Sequence, residues 1–176
     1  MKRIALLTAC FFIACSLSAQ PAVDLQEKTP YQYNGLEYGY YITNEKSKEV
    51  KGDDMDRFEI VLYVSNKSNL LRIIPFPDIE NVEDELPVAE FNCRNATGKR
   101  LTSKNGKVKA KPWFTQVRVA DETQSSKYKF VKAQVGYAIK SGETISTKII
   151  VIVPKGERPG VTCKAVDYPQ NMAYNK

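Results

Sequence analysis

Hydrophobic and polar residues alternate with a period of two along most of this chain. Leu36, Tyr38, Tyr40 and Ile42 share one face of an extended segment, and every second residue of Phe58–Val64 does the same. Successive side chains of a β-strand point to opposite faces, so the alternation predicts strands with one face in a core. Similar runs, rich in β-branched and aromatic residues, occur at residues 70–74, 89–93, 128–139, 145–153 and 161–165. The pattern predicts an all-β domain.

The number and spacing of these segments favour an antiparallel sandwich. About seven to nine short strands separated by close turns are typical of an immunoglobulin-like β-sandwich, and a barrel remains the alternative. Asn105–Gly106 has the composition of a two-residue hairpin turn between residues 101–104 and 107–111. The acidic stretch Asp78–Glu90 is the one candidate for a helical turn.

Two segments resemble elements of extracellular immunoglobulin-like modules. They are Phe58–Ser68, a strand followed by a turn, and Ile139–Thr144, which leads into a long strand that ends at Pro154. The resemblance implies the fold and no particular activity.

The first residues have the composition of an export signal. Lys2 and Arg3 precede a short apolar run, and Ala19 is a small residue at a plausible cleavage point. The leader resembles those of exported Bacteroidota proteins. We therefore expect residues 1–19 to be a signal peptide and the mature protein to be periplasmic or secreted, with a lipid anchor at Cys15 as the alternative.

The rest of the chain has the size of one domain. We expect a flexible N-terminal segment at residues 20–30, the β-sandwich domain at 31–166 and a loosely held tail at 167–176. No apolar run after the leader is long enough to predict a transmembrane segment.

Composition restricts the chemistry. The chain contains no histidine, which excludes Ser-His-Asp and Cys-His nucleophile systems and histidine-ligated zinc. No metal or cofactor is expected. The composition leaves open one enzymatic alternative, a glycoside hydrolase that uses two carboxylates. Removal of Lys2 and Arg3 with the leader lowers the formal net charge from +6 to +4. In an exported protein this mild surplus makes anionic glycans or lipid head groups better candidate ligands than nucleic acid.

The mature chain has two cysteines, Cys93 and Cys163. In an oxidising compartment an even count predicts a disulfide, and only one pairing is possible. Both residues occupy inward-facing strand positions. Two buried free thiols are the alternative.

A basic segment is the best candidate ligand site. The segment runs from Arg94 to Lys111 and contains no acidic residue. The candidate binding residues in it and directly after it are Arg100, Lys104, Lys107, Lys109, Lys111 and Trp113. A cationic hairpin beside an aromatic residue suits an anionic glycan. The alternatives are lysines that protect an edge strand from aggregation, and a Trp113 that packs in the core on the two cysteines.

Three other features of the sequence are weaker signals of binding or modification. Tyr31, Tyr33 and Tyr41 could stack on sugars, and the carboxylates of residues 53–56 could bind calcium. Asn66 and Asn95 begin glycosylation sequons by pattern, which suggests that both lie in exposed turns.

Taken together, the sequence predicts an exported, non-enzymatic binding or structural module. We expect it to engage a partner protein of the envelope or the extracellular space, most simply through an exposed strand edge. Binding of an anionic glycan through the basic segment is the alternative.

Overall fold

The computed structural model of the chain describes residues 21–50, 53–74, 85–95, 106–120 and 127–166, with the backbone alone at 48–50 and 53. Within them ten strands form: β1 (Val23–Leu25), β2 (Tyr31–Tyr33), β3 (Leu36–Val50), β4 (Asp53–Ser65), β5 (Arg72–Ile74), β6 (Leu86–Arg94), β7 (Gly106–Ala120), β8 (Tyr128–Ile139), β9 (Thr144–Pro154) and β10 (Gly160–Ala165). None of the described residues belongs to a helix that could span a membrane.

The strands form two antiparallel sheets that pack together. The six-stranded sheet has the order β1-β10-β6-β7-β8-β5, and the four-stranded sheet has the order β2-β3-β4-β9. This arrangement confirms the predicted all-β sandwich. The immunoglobulin-like topology stays a prediction.

The core lies between the sheets and follows the alternation of the sequence. Phe58, Ile60, Leu62 and Val64 of β4 are completely buried, and their inward face meets that of the other sheet. The other sheet supplies Val88, Phe91, Val108, Tyr137 and Ile139 among others. Full burial of each such side chain stabilises the fold by about 1.5–3 kcal/mol.

The N-terminal segment that the sequence suggested to be loose contributes to the sandwich. Residues 23–25 form β1, which pairs with β10 from Val23↔Cys163 to Leu25↔Val161. Leu25 is buried in the core. The ordered domain therefore begins before residue 31.

Asn66 connects three parts of the chain at one end of the sandwich. Its Nδ2 donates hydrogen bonds to the carbonyl oxygens of Leu70 (2.8 Å) and Ile139 (3.0 Å). Its backbone N–H donates to Glu143 O at 2.9 Å, and its carbonyl accepts from Gly142 N at 2.8 Å. Asn66 is fully buried, so the expectation that it lies in an exposed turn is wrong. Its amide replaces the backbone pairing that the chain loses where β4 ends.

Candidate functional site

The predicted lysine row is present on β7. Lys107, Lys109 and Lys111 alternate with the buried residues Val108 and Ala110, so all three share the outward face of the strand. The partner of this part of β7 is β6, from Phe91↔Gly106 to Leu86↔Ala110. The predicted hairpin partner, residues 101–104, lies outside the described residues, as do Arg100 and Asn105.

The lysine row borders a groove of about 480 Å³. The opposite wall is the start of β9, residues 144–147, and Glu85 and Glu143 also line the groove. Lys107 forms an ion pair with Glu90 across the strands, with 3.3 Å between Nζ and Oε1. The groove therefore carries charges of both signs, which weakens its attraction for a purely anionic ligand.

Two carboxylates in one groove also bear on the hydrolase alternative. Glu143 has a structural role, because its Oε2 accepts a hydrogen bond of 2.7 Å from the backbone N–H of Lys140 and closes the turn before β9. This hydrogen bond accounts for the position of Glu143 without any catalytic role.

Trp113 marks a change in the structure of β7. It lies opposite Gly136, and a β-bulge separates it from Phe114. The ring is half-buried and lies outside the core cluster of the described residues. The alternative that placed Trp113 in the core on the cysteines is therefore wrong.

Beyond this bulge, β7 and β8 continue as a ribbon of two strands. Pairing with β6 ends at Ala110, and pairing of β8 with β5 covers only Tyr137–Ile139. We call residues 114–120 and 128–134 the distal ribbon; within the described residues no third strand pairs with it. Pro112 cannot donate a hydrogen bond to a neighbouring strand, and a bulge bends and twists the strand that contains it. These two features separate the ribbon from the sheet.

One face of the distal ribbon is aromatic and cationic. The register Phe114↔Gln134, Gln116↔Lys132 and Arg118↔Phe130 places all these side chains on the same side. Phe114, Tyr128 and Phe130 are 47%, 58% and 68% exposed. Lys132 Nζ lies 5.4 Å from the centroid of the Phe114 ring. Lys132 thus lies over an aromatic ring in solvent. Aromatic residues and arginine, which this face exposes, are among the residue types enriched at protein interfaces.

The opposite face of the ribbon is mainly aliphatic. It carries Thr115, Val117, Val119, Lys129, Val131 and Ala133. The strands β7 and β8 contain six basic residues and no acidic one. Sequence reasoning stopped at Lys111 and Trp113, although the interleaved basic and aromatic residues farther along β7 and β8 were a usable signal.

The two cysteines do not form the predicted disulfide. Cys93 and Cys163 are free, buried thiols on the neighbouring strands β6 and β10. Cys93 lies opposite Val161 and Cys163 opposite Phe91, so the cysteines are diagonal neighbours. Diagonal positions are about 7–8 Å apart, beyond the usual reach of a disulfide. Burial raises the pKa of Cys93 to about 11 and that of Cys163 to about 12, which makes both poor nucleophiles.

Two of the aspartates that could have bound calcium, Asp54 and Asp56, form contacts within the fold instead. Asp56 accepts hydrogen bonds of 2.8 Å from Ser47 Oγ and from the backbone N–H of Gly156. Asp54 pairs with Lys155 at 3.0 Å. Across the described ranges no group of three acidic or cysteine side chains is placed to hold a metal ion.

Comparisons with known proteins add no relative from which a function could be transferred. Neither the protein-family models nor the curated proteins nor the solved structures that we compared with this chain match it.

Proposed function

We propose that this protein is an exported, non-enzymatic binding module that engages a partner protein through the distal ribbon. The observation that carries the proposal is the aromatic face, with Phe114, Tyr128 and Phe130 exposed beside Arg118 and Lys132. The leader supports export, and the absence of histidine supports a non-enzymatic role.

The exposed rings favour contact with another macromolecule. A two-stranded ribbon is only marginally stable by itself, so a surface that covers it also stabilises it. Burial of one aromatic side chain contributes about 1.5–3 kcal/mol. In most protein interfaces a small central cluster of residues contributes most of the binding energy. Three rings held in place on one ribbon have the composition of such a cluster.

The charge of the ribbon indicates the chemistry of the partner. Arg118 and Lys132 lie on the aromatic face, and the two strands that form the ribbon carry no acidic residue. An acidic surface on the partner would complement them and accelerate association, and raised salt would slow it. The partner is therefore an envelope or extracellular protein with an acidic, partly apolar surface.

The experiment is a pull-down from envelope extract with matched variants. Phe114→Ala/Tyr128→Ala/Phe130→Ala removes the aromatic rings, whereas Ile150→Ala/Ile152→Ala removes two exposed residues of β9 in the other sheet. The ribbon variant should lose the partner and the β9 variant should keep it. Retention of the partner by the ribbon variant would refute the proposal, and loss by the β9 variant alone would favour binding at the strand edge.

The lysine-lined groove supports a second candidate function, the binding of an anionic glycan. Three lysines on one face and the hydroxyls of residues 144, 146 and 147 suit a sulfated or carboxylated sugar. Lys107→Ala/Lys109→Ala/Lys111→Ala should then abolish binding to immobilised heparin or polygalacturonate. The counter-indications are Glu85, Glu143 and the Lys107–Glu90 pair.

A further inference from the structure

A third candidate site lies on the outer face of the four-stranded sheet. It is a cleft of about 360 Å³ at the end of the sheet where β4 ends and β9 begins. Its lining includes Tyr41, Tyr63, Glu37, Lys28, Lys67 and Thr144. A pocket of this size, with aromatic rings and a few polar groups, falls in the usual range for small-molecule sites.

The two tyrosines form the apolar part of the cleft. Tyr63 lies opposite Gly39 across β3 and β4, and a Cβ atom at residue 39 would overlap the phenol ring. The glycine thus lets the Tyr63 ring lie against the sheet. Tyr41 leans against it, with ring centroids 6.1 Å apart and planes at 46°. The pair offers a fixed aromatic corner, and Tyr41 is 40% exposed.

Backbone and side-chain hydrogen bonds position the polar groups around this corner. The backbone N–H of Lys28 donates to Tyr40 O at 3.0 Å, which fixes the turn that carries this lysine. Lys67 follows the buried Asn66. Ser65 Oγ and Thr144 Oγ1 share a hydrogen bond of 2.8 Å, and Glu37 Oε1 accepts one of 3.4 Å from Gln32 Nε2.

The two lysines that line the cleft, Lys28 and Lys67, can contact an anionic group of a ligand. Among the ion pairs of the described residues, none includes Lys28 or Lys67. Glu37 is the one acidic side chain that lines the cleft within the described part of the chain. Burial, and then electrostatic repulsion from Glu37 and from the phenol of Tyr41, raise the pKa of Tyr63, so its hydroxyl is protonated and can donate a hydrogen bond.

We propose that this cleft binds a sugar ring that carries a carboxylate. The ring stacks on Tyr41 and Tyr63, as pyranose faces do on aromatic side chains, and its carboxylate lies between Lys28 and Lys67. Glu37 and Thr144 accept hydrogen bonds from the sugar hydroxyls. The proposal does not rest on the distal ribbon, which belongs to the other sheet.

The test uses the full mature protein with tetragalacturonate, its methyl ester and neutral cellotetraose as probes. Affinity is measured by calorimetry, and the Tyr41 and Tyr63 ring resonances are followed by NMR. Tetragalacturonate should bind, shift both sets of resonances and bind at least tenfold more tightly than either neutral probe. Failure to bind at millimolar concentration, or equal affinity for the three probes, would overturn the proposal.

Variants of residues that line the cleft test whether tetragalacturonate binds there. Tyr41→Ala and Lys28→Ala/Lys67→Ala should each weaken tetragalacturonate binding by about tenfold or more. The exposed control Lys46→Ala/Lys155→Ala removes the same charge elsewhere and should leave the affinity unchanged. Thermal unfolding confirms that each variant folds. Unchanged affinity in Tyr41→Ala would overturn the proposal, and so would an equal loss in the control.

Discussion

The guanidinium of Arg118 lies over the ring of Tyr128, with Cζ 3.6 Å from the ring centroid. The two residues are on neighbouring strands of the distal ribbon, on the face that also carries Phe114 and Phe130. The contact fixes a cation and an aromatic ring in a surface orientation before any ligand arrives. Such preorganisation lowers the entropy cost of binding.

Arg118→Ala should therefore affect binding more than folding. An exposed cation–π contact is worth about 0.5–1 kcal/mol, so the free energy of unfolding should fall by no more than about 1 kcal/mol. Affinity for the partner should fall by tenfold or more, because a central arginine is a typical interface anchor. Urea unfolding and a binding titration measure the two effects. Equal affinity of Arg118→Ala and the wild type would argue against a role for this face.

Asn66→Ala should be strongly destabilising. The variant removes the donor to Leu70 O and Ile139 O and leaves these carbonyls without that partner. We expect a loss of about 2–4 kcal/mol in the free energy of unfolding, measured in urea. The exposed neighbour Asn69→Ala is the control and should change stability by less than about 0.5 kcal/mol. Similar values for the two variants would contradict the role given to Asn66.

Stability should decrease at low pH partly through Asp56. The hydrogen bonds from Gly156 N–H and Ser47 Oγ hold the pKa of its carboxyl below 3.8. The stabilisation is complete at pH values well above 3.8 and is lost as the pH falls through the lower pKa of the folded state. Asp56→Asn should lower the melting temperature at neutral pH and flatten its decrease in acid. Asp24→Asn, at an exposed carboxylate of β1, is the control and should keep the wild-type acid profile. A wild-type acid profile in Asp56→Asn would count against this linkage.

The two thiols should be present and protected. Because Cys93 and Cys163 are free and buried with raised pKa values, the native protein should react very slowly with a thiol reagent at pH 8. After the mature protein, without residues 1–19, is unfolded in the absence of reductant, both Cys93 and Cys163 should react. If neither reacts until reductant is added, the chain contains the disulfide that the sequence suggested.

The sequence predicted most of the core strands and their buried faces, because alternation reports directly which face of a strand is buried. It missed β1, which lies in the segment expected to be flexible, and the part of β7 beyond Trp113. Phe58, Ile60, Leu62 and Val64 were assigned to one inward face, and all four are completely buried. The inward direction of the two cysteines was also correct. Their pairing was not, since it depends on which strands are neighbours and in what register, and neither is encoded locally.

The candidate site was predicted only in part. The outward row of Lys107, Lys109 and Lys111 could be predicted from the sequence alone, because successive side chains of a strand point to opposite faces. The distal ribbon could not, because its exposure depends on where β5 and β6 stop pairing with their neighbours. Similarly, the Tyr41–Tyr63 corner requires the register that places Gly39 opposite Tyr63.

The central claim, that the distal ribbon binds a partner protein, is tested most directly by site-specific photo-crosslinking in the envelope. A photoreactive phenylalanine analogue replaces Phe130 in one variant and Ile150, on the other sheet, in a control. Position 130 should crosslink to one acidic protein, and position 150 should not. This protein module and the crosslinked partner, once purified, should bind each other more weakly as the salt concentration is raised. A crosslink to the same protein from position 150 alone, or purified components that do not bind, would contradict this claim.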